Sequence, residues 1–164
     1  MSRTDNIELP TPARRVGATV LVRDRTGAVL LVRAPRESEW VLPGGVAYEG
    51  ETVAEAAARD LAEVTGLVRN VVLFAALDLI PAPRGSRSAN GFNVVGDGGT
   101  LSADEAARVA VPEGAEGRVA ELRWVPMDQV EMVAAGLLAR RVRQAVAAFE
   151  HGQQPLLLNG LVAV

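Results

Sequence analysis

The sequence predicts an α/β protein in which a mixed β-sheet lies between helices. Three observations predict it. Runs rich in β-branched residues come early in the chain, RVGATVLVRD (15–24) and AVLLVRA (28–34), and FNVVGDGG (92–99) reads as a later strand ending in a glycine turn. Segments with helical spacing lie among them, at 53–65 and 131–150. The two kinds of segment do not alternate as regular βαβα units, which favours a mixed sheet over a doubly wound parallel one. A length of 164 residues suits one domain with a substantial core, and 49% hydrophobic with 23% charged residues is an ordinary globular balance.

Taken in order, residues 1–13 (MSRTDNIELPTPA) are polar, carry two prolines and read as a loose arm. The domain is expected to span 14–164. The turn signal DRTG joins the first two strands into a hairpin. WVLPGG (40–45) reads as a short strand ending at Pro43 and the glycines. Thr52 and Glu55 form a capping box for a helix over 53–65, and Gly66 suits the residue that ends it. VRNVVLFAALDLI (68–80) reads as a strand, and PAPRGSRSANG (81–91) as a solvated loop carrying Arg84 and Arg87. Residues 102–117 are short-helical or irregular, 118–126 a strand, and 131–150 the main later helix. The apolar tail QPLLLNGLVAV (154–164) is expected to pack on the domain or on a second copy, so a homodimer is one expected partner.

Composition narrows the function. A net charge of −3 argues against a nucleic-acid polymer as partner. With no cysteine, thiol nucleophiles and zinc-thiolate sites are excluded, and the single histidine, His151, cannot form a cluster. No apolar run reaches membrane-spanning length and no signal-peptide core opens the chain, so a cytoplasmic location is expected.

The candidate chemistry lies around the helix at 53–65. Val53, Ala57, Leu61 and Val64 make an apolar stripe that must face a core. Asp60 and Glu63 are three apart, so their carboxylates can share one space and hold a hard divalent cation. Glu51 precedes the helix, where an acid favours its dipole, and can orient Arg59. Gly44 and Gly45 permit a tight backbone whose carbonyl faces the same cation. Such a site suits a metal-bound phosphate, the cation neutralising charge and helping to ionise a water.

The spacing from Gly45 to Leu67 resembles the box of the Nudix family, G-x5-E-x7-R-E-U-x-E-E-x-G-U, with U a bulky aliphatic residue. Gly45, Glu51, Arg59, Leu61, Glu63, Gly66 and Leu67 match it. The preceding WVLPGG and the later ELRWVP (121–126) are also similar to the family, so the resemblance covers most of 14–150. It implies an α/β/α sandwich around a mixed sheet. It implies hydrolysis of a nucleoside diphosphate linked to another moiety, by water attack at phosphorus with Mg²⁺ or Mn²⁺. The implied metal site comprises Gly45, Asp60, Glu63 and a later acid, for which Glu121 is favoured over Glu113 and Glu116. Glu63 is the implied general base, with Glu116 and Glu121 as alternatives, and Arg59 and Glu51 complete the catalytic set. Two positions depart from the box. Asp60 stands for a glutamate and keeps its charge, whereas Val64 replaces a paired acid and cannot coordinate a cation. Losing one anionic ligand weakens hard-cation binding.

For the small nucleotide or diphosphate substrate, Arg33 and Arg36 are expected phosphate contacts, Trp40 a stacking ring and Glu116 a further contact. Two other readings stay open. One is a nucleotide-binding module that retains the fold without turnover. The other is a different diphosphate-ester reaction on the same scaffold.

Overall fold

The computed structural model describes residues 14–82, 84–85, 90–134 and 136–163. The expected arm at 1–13 and Arg87 lie outside the described residues.

The first strand, β1 (Arg15–Arg23), turns through Asp24–Gly27 into β2 (Val29–Arg33), and the two pair antiparallel as the hairpin reading expects. The Asp24 side chain closes that turn by accepting from the backbone N–H groups of Thr26 at 2.8 Å and Ala28 at 3.0 Å. The next strand departs from expectation. Only Val41 bridges to Val32, and β3 begins at the glycines, running Gly44–Val46 antiparallel to β1. Trp40 and Leu42 are buried in the core, and Pro43, which has no N–H to donate, meets the sheet only by accepting at its carbonyl from the Val20 N–H at 2.8 Å.

Helix α1 (Val53–Thr65) forms as the caps dictate. Thr52 and Glu55 make the reciprocal capping box, and Gly66 closes the helix with φ 73 and an N–H donated to the Ala62 carbonyl. Its buried side includes Ala57, Leu61 and Val64. The following strand is shorter than expected: β4 spans Phe74–Ile80. Val71 is instead buried beneath α1 beside Leu61, leaving Val72 and Leu73 exposed. Next come β5 (Gly91–Thr100), α2 (Ala103–Ala107) and β6 (Glu121–Val125). The expected helix at 131–150 is divided into α3 (Val130–Val133) and α4 (Gly136–His151), because Ala134 is extended, at ψ 138. The apolar tail folds into β7 (Leu156–Leu158) and β8 (Leu161–Val162).

These strands make one open mixed sheet in the order β6-β2-β1-β5-β4-β7-β8, with β3 attached to β1. The β1–β5 and β4–β7 pairs are parallel and the others antiparallel. Alternation along β1 sends Ala18, Val20 and Val22 toward α1 and Leu21 toward α4, so the sheet has an apolar core on each face. The tail is tied down by a buried ion pair. Asp78 of β4 accepts from Arg141 Nε at 2.8 Å and from the Gly160 N–H at 3.0 Å. No helix is long and apolar enough to cross a membrane among the described residues.

Candidate active site

The site assembles where β3 approaches α1. Gly44 has φ 146 and lies against the Ala18–Thr19 backbone, where a Cβ would collide. At Gly45 a Cβ would collide with the Asp60 carboxylate. The glycine pair thus brings a backbone strand directly onto an acid of the helix.

Arg59 ties the loop between β3 and α1 to the helix. Its Nε donates to Glu51 Oε1 at 2.7 Å, and Nη2 donates to Glu51 Oε2 at 2.9 Å and to the Val46 carbonyl at 3.3 Å. Nη1 donates to Asp60 Oδ1 at 2.9 Å and lies 3.6 Å from Glu63. This fork holds the Glu51 carboxyl down at about 2, from an ordinary 4.5, with help from the Tyr48 N–H at 2.9 Å. The same hydrogen bonds to Glu51 raise the Arg59 pKa. Tyr48 presents its ring to the Arg59 guanidinium at 4.3 Å and is 64% exposed.

Asp60 is only 1% exposed, and its Oδ2 has no hydrogen-bond partner among the described residues. Oδ1 accepts from Arg59 and also from Arg118 Nη2 at 2.7 Å, while Arg118 Nη1 pairs with Glu63. Arg118 comes from the turn before β6, and its pKa is raised chiefly by the hydrogen bond to Asp60. Val64 points away from this cluster into a buried group with Val32 and Val119.

The structure therefore brings together Gly45, Glu51, Arg59, Asp60 and Glu63. It does not bring the other expected residues to them. The pairing of β2 with β6 sets Glu121 opposite Arg33, on the face that also carries Arg123 and Val125. Glu121 accordingly forms an ion pair with Arg33 and lies across the sheet from Asp60. Its neighbour Leu122 is the residue that faces α1. Trp40 is 8% exposed, in the α4-side core, with Arg33 and Arg123 at 5.6 and 5.3 Å from its ring. The exposed ring at the cluster is Tyr48. Arg36 is exposed in the turn after β2, with φ 68. Glu116 is exposed and accepts from the Gly114 N–H at 3.2 Å within its own turn. Sequence reasoning missed Arg118. Its only local signal is its place two residues after Glu116, in the segment expected to supply a further acid.

Hard oxygen donors are present for a divalent cation: the Asp60 and Glu63 carboxylates, with the Gly45 backbone against Asp60. The buried, unpartnered Asp60 Oδ2 is the observation that fits such an ion. The set is small, since no group of three or more carboxylate or imidazole side chains is placed to hold one ion among the described residues. Mg²⁺ is commonly held by one or two carboxylates plus waters and substrate phosphates, so two suffice in kind.

The mixed sheet thus carries a glycine turn, a clamped arginine and paired acids on one helix, a class of site with the charge and oxygen donors for a metal-bound phosphate. The NUDIX domain model matches residues 13–149, and the chain belongs to the Nudix family. It is 30% identical over 138 residues to a Bacillus subtilis (strain 168) protein provisionally named an 8-oxo-dGTP diphosphatase, covering 84% of this chain and 81% of that one. The fold matches the MutT protein of Methanosarcina mazei Go1 at a TM-score of 0.63 and 22% identity, covering 87% of this chain and 98% of that one. It also matches the NUDIX domain of Shewanella oneidensis NrtR, solved with ADP ribose, at a TM-score of 0.64 and 19% identity, covering 85% and 90%. The chain is thus a Nudix-type hydrolase, of a family that works on nucleoside diphosphates linked to another moiety and generally uses divalent metals.

Proposed function

We propose that the chain is a Mg²⁺- or Mn²⁺-dependent pyrophosphohydrolase of a small nucleotide, working with a reduced set of acids. The observation that carries this reading is Asp60 Oδ2, a buried carboxylate oxygen without a partner among the described residues, which faces the Gly45 backbone one turn before Glu63. A bound divalent cation would supply charge neutralisation at the phosphates and a more acidic water. Asp60 and Glu63 would hold it. Glu63, 46% exposed at the mouth of the cluster, is the group that takes a proton from water. Arg59 and Glu51 hold the loop that carries Tyr48, whose open ring offers a nucleobase a stacking surface. The 8-oxo-dGTP in the name of the Bacillus subtilis relative supports testing oxidised and ordinary nucleoside triphosphates first.

The test is turnover of a panel of nucleoside triphosphates, including 8-oxo-dGTP, and of ADP-ribose-type diphosphates, with Mg²⁺ or Mn²⁺. Hydrolysis that needs the metal is expected, and Glu63→Gln should lower kcat by about 10²–10⁴, the range for loss of a general base. Absence of turnover throughout the panel would sink the reading. A second reading, nucleotide binding without turnover, draws on Val64, which spends a box position on the core instead of on a ligand. Tight calorimetric binding by a protein that turns over nothing would establish it.

A further inference from the structure

We propose that Arg118 is the resident cation of the Asp60–Glu63 pair, and that a divalent ion gains these carboxylates only by displacing it. The inference rests on the metal-site reading above, and it concerns what that site holds before metal arrives.

Arg118 bridges the two acids with separate nitrogens, Nη2 to Asp60 and Nη1 to Glu63. One planar fork therefore occupies the space between the carboxylates. Three acids (Glu51, Asp60, Glu63) and two arginines (Arg59, Arg118) leave one uncompensated negative charge in the cluster. Without Arg118 there would be two. Hard-cation affinity rises with ligand charge, so Arg118 lowers it both by occupying the oxygens and by repelling the ion. A guanidinium stays protonated throughout the working pH range, so deprotonation cannot clear the site. Displacement can. The Arg118 side chain is 45% exposed and sits on a surface turn, while its neighbour Val119 remains anchored in the core.

That anchor gives Val64 a second role. Val64, Val32 and Val119 form one buried cluster. The Arg118 and Val119 N–H groups both donate to the Ala115 carbonyl, at 2.8 and 2.9 Å, which sets the turn. Packing Val119 against Val64 therefore delivers Arg118 to the acids one helical turn earlier and beside it. A single residue removes a ligand and installs its competitor. Asp60 Oδ2 is left as the buried acceptor that neither arginine fills, and it marks where an entering ion finds a free oxygen.

Mn²⁺ binding to the protein without nucleotide, followed by electron paramagnetic resonance and calorimetry, tests this. Arg118→Gln should bind Mn²⁺ at least about tenfold more tightly than wild type, as expected for removing one competing unit charge beside a partly exposed pair. Arg118→Lys keeps the charge but cannot bridge both acids, so it should fall between the two. Should Arg118→Gln fail to fold, the lysine variant alone decides, by binding more tightly than wild type or not. Unchanged Mn²⁺ affinity in a folded variant overturns the inference. The two readings separate cleanly. Tighter Mn²⁺ binding without any nucleotide turnover supports a resident arginine and removes the hydrolase. Metal-dependent turnover with an affinity indifferent to Arg118 does the reverse.

Discussion

Two buried aspartates meet arginines on opposite faces of the sheet, and they are used differently. Asp78 is closed: one oxygen accepts from Arg141, the other from the Gly160 N–H, and the pair is almost wholly removed from water. Asp60 is as deeply buried but open: both arginines crowd Oδ1, Oδ2 is unfilled, and each arginine reaches solvent. Asp78 has both oxygens filled and fixes structure, here the C-terminal hairpin, although Arg141 Nη2 finds no partner among the described residues. A carboxylate with an oxygen left over, beside arginines that reach solvent, retains capacity for a cation, which is why the second cluster and not the first reads as the active site.

The largest stability effect should come from the closed pair. Asp78→Asn leaves Arg141 charged and uncompensated in the core, and a loss of about 3–5 kcal/mol is expected by urea denaturation. A much smaller loss would mean that Arg141 finds another partner and that the contrast is weaker than drawn. Asp60→Asn should cost less, about 1–2 kcal/mol, because Arg59 and Arg118 can turn to water. A cost equal to that of Asp78→Asn would make Asp60 a structural residue. Gly45→Ala forces the β3 backbone off Asp60, with an expected loss of about 1–3 kcal/mol and weaker metal binding in the same titration.

The smallest effect concerns pH. Glu51 has its pKa lowered from 4.5 to about 2 in the folded chain. Its contribution is thus present above pH 4.5 and is lost as pH falls toward 2. Glu51→Gln should flatten the decline of stability across that window, as read from thermal melts at successive pH values. An unchanged slope would show that the Arg59 clamp does not persist in solution.

Much of this molecule was legible in its residues. The hairpin of β1 and β2, and helix α1 with its capping box and closing glycine, depend on contacts within a few residues, which composition and spacing reveal. The same holds for the alignment of Gly45, Glu51, Arg59, Asp60 and Glu63, which share one loop and helix. Other expectations failed because packing decided them. Trp40 was expected at an open pocket, yet the core takes its ring. Glu121 was expected beside the metal, yet pairing with Arg33 sets its strand's alternation and turns it to the far face.

By itself, the sequence determined the local framework: where β1, β2 and β5 run, where α1 starts and stops, and that one box position is given to Val64. Tertiary structure alone decided that Arg118, 58 residues beyond Asp60, would enter the acid pair. It also decided that the tail would extend the sheet through β7, parallel to β4. Local hydrogen bonding is written in neighbouring residues, whereas a guanidinium delivered by the packing of Val119 on Val64 depends on how distant segments fill shared volume.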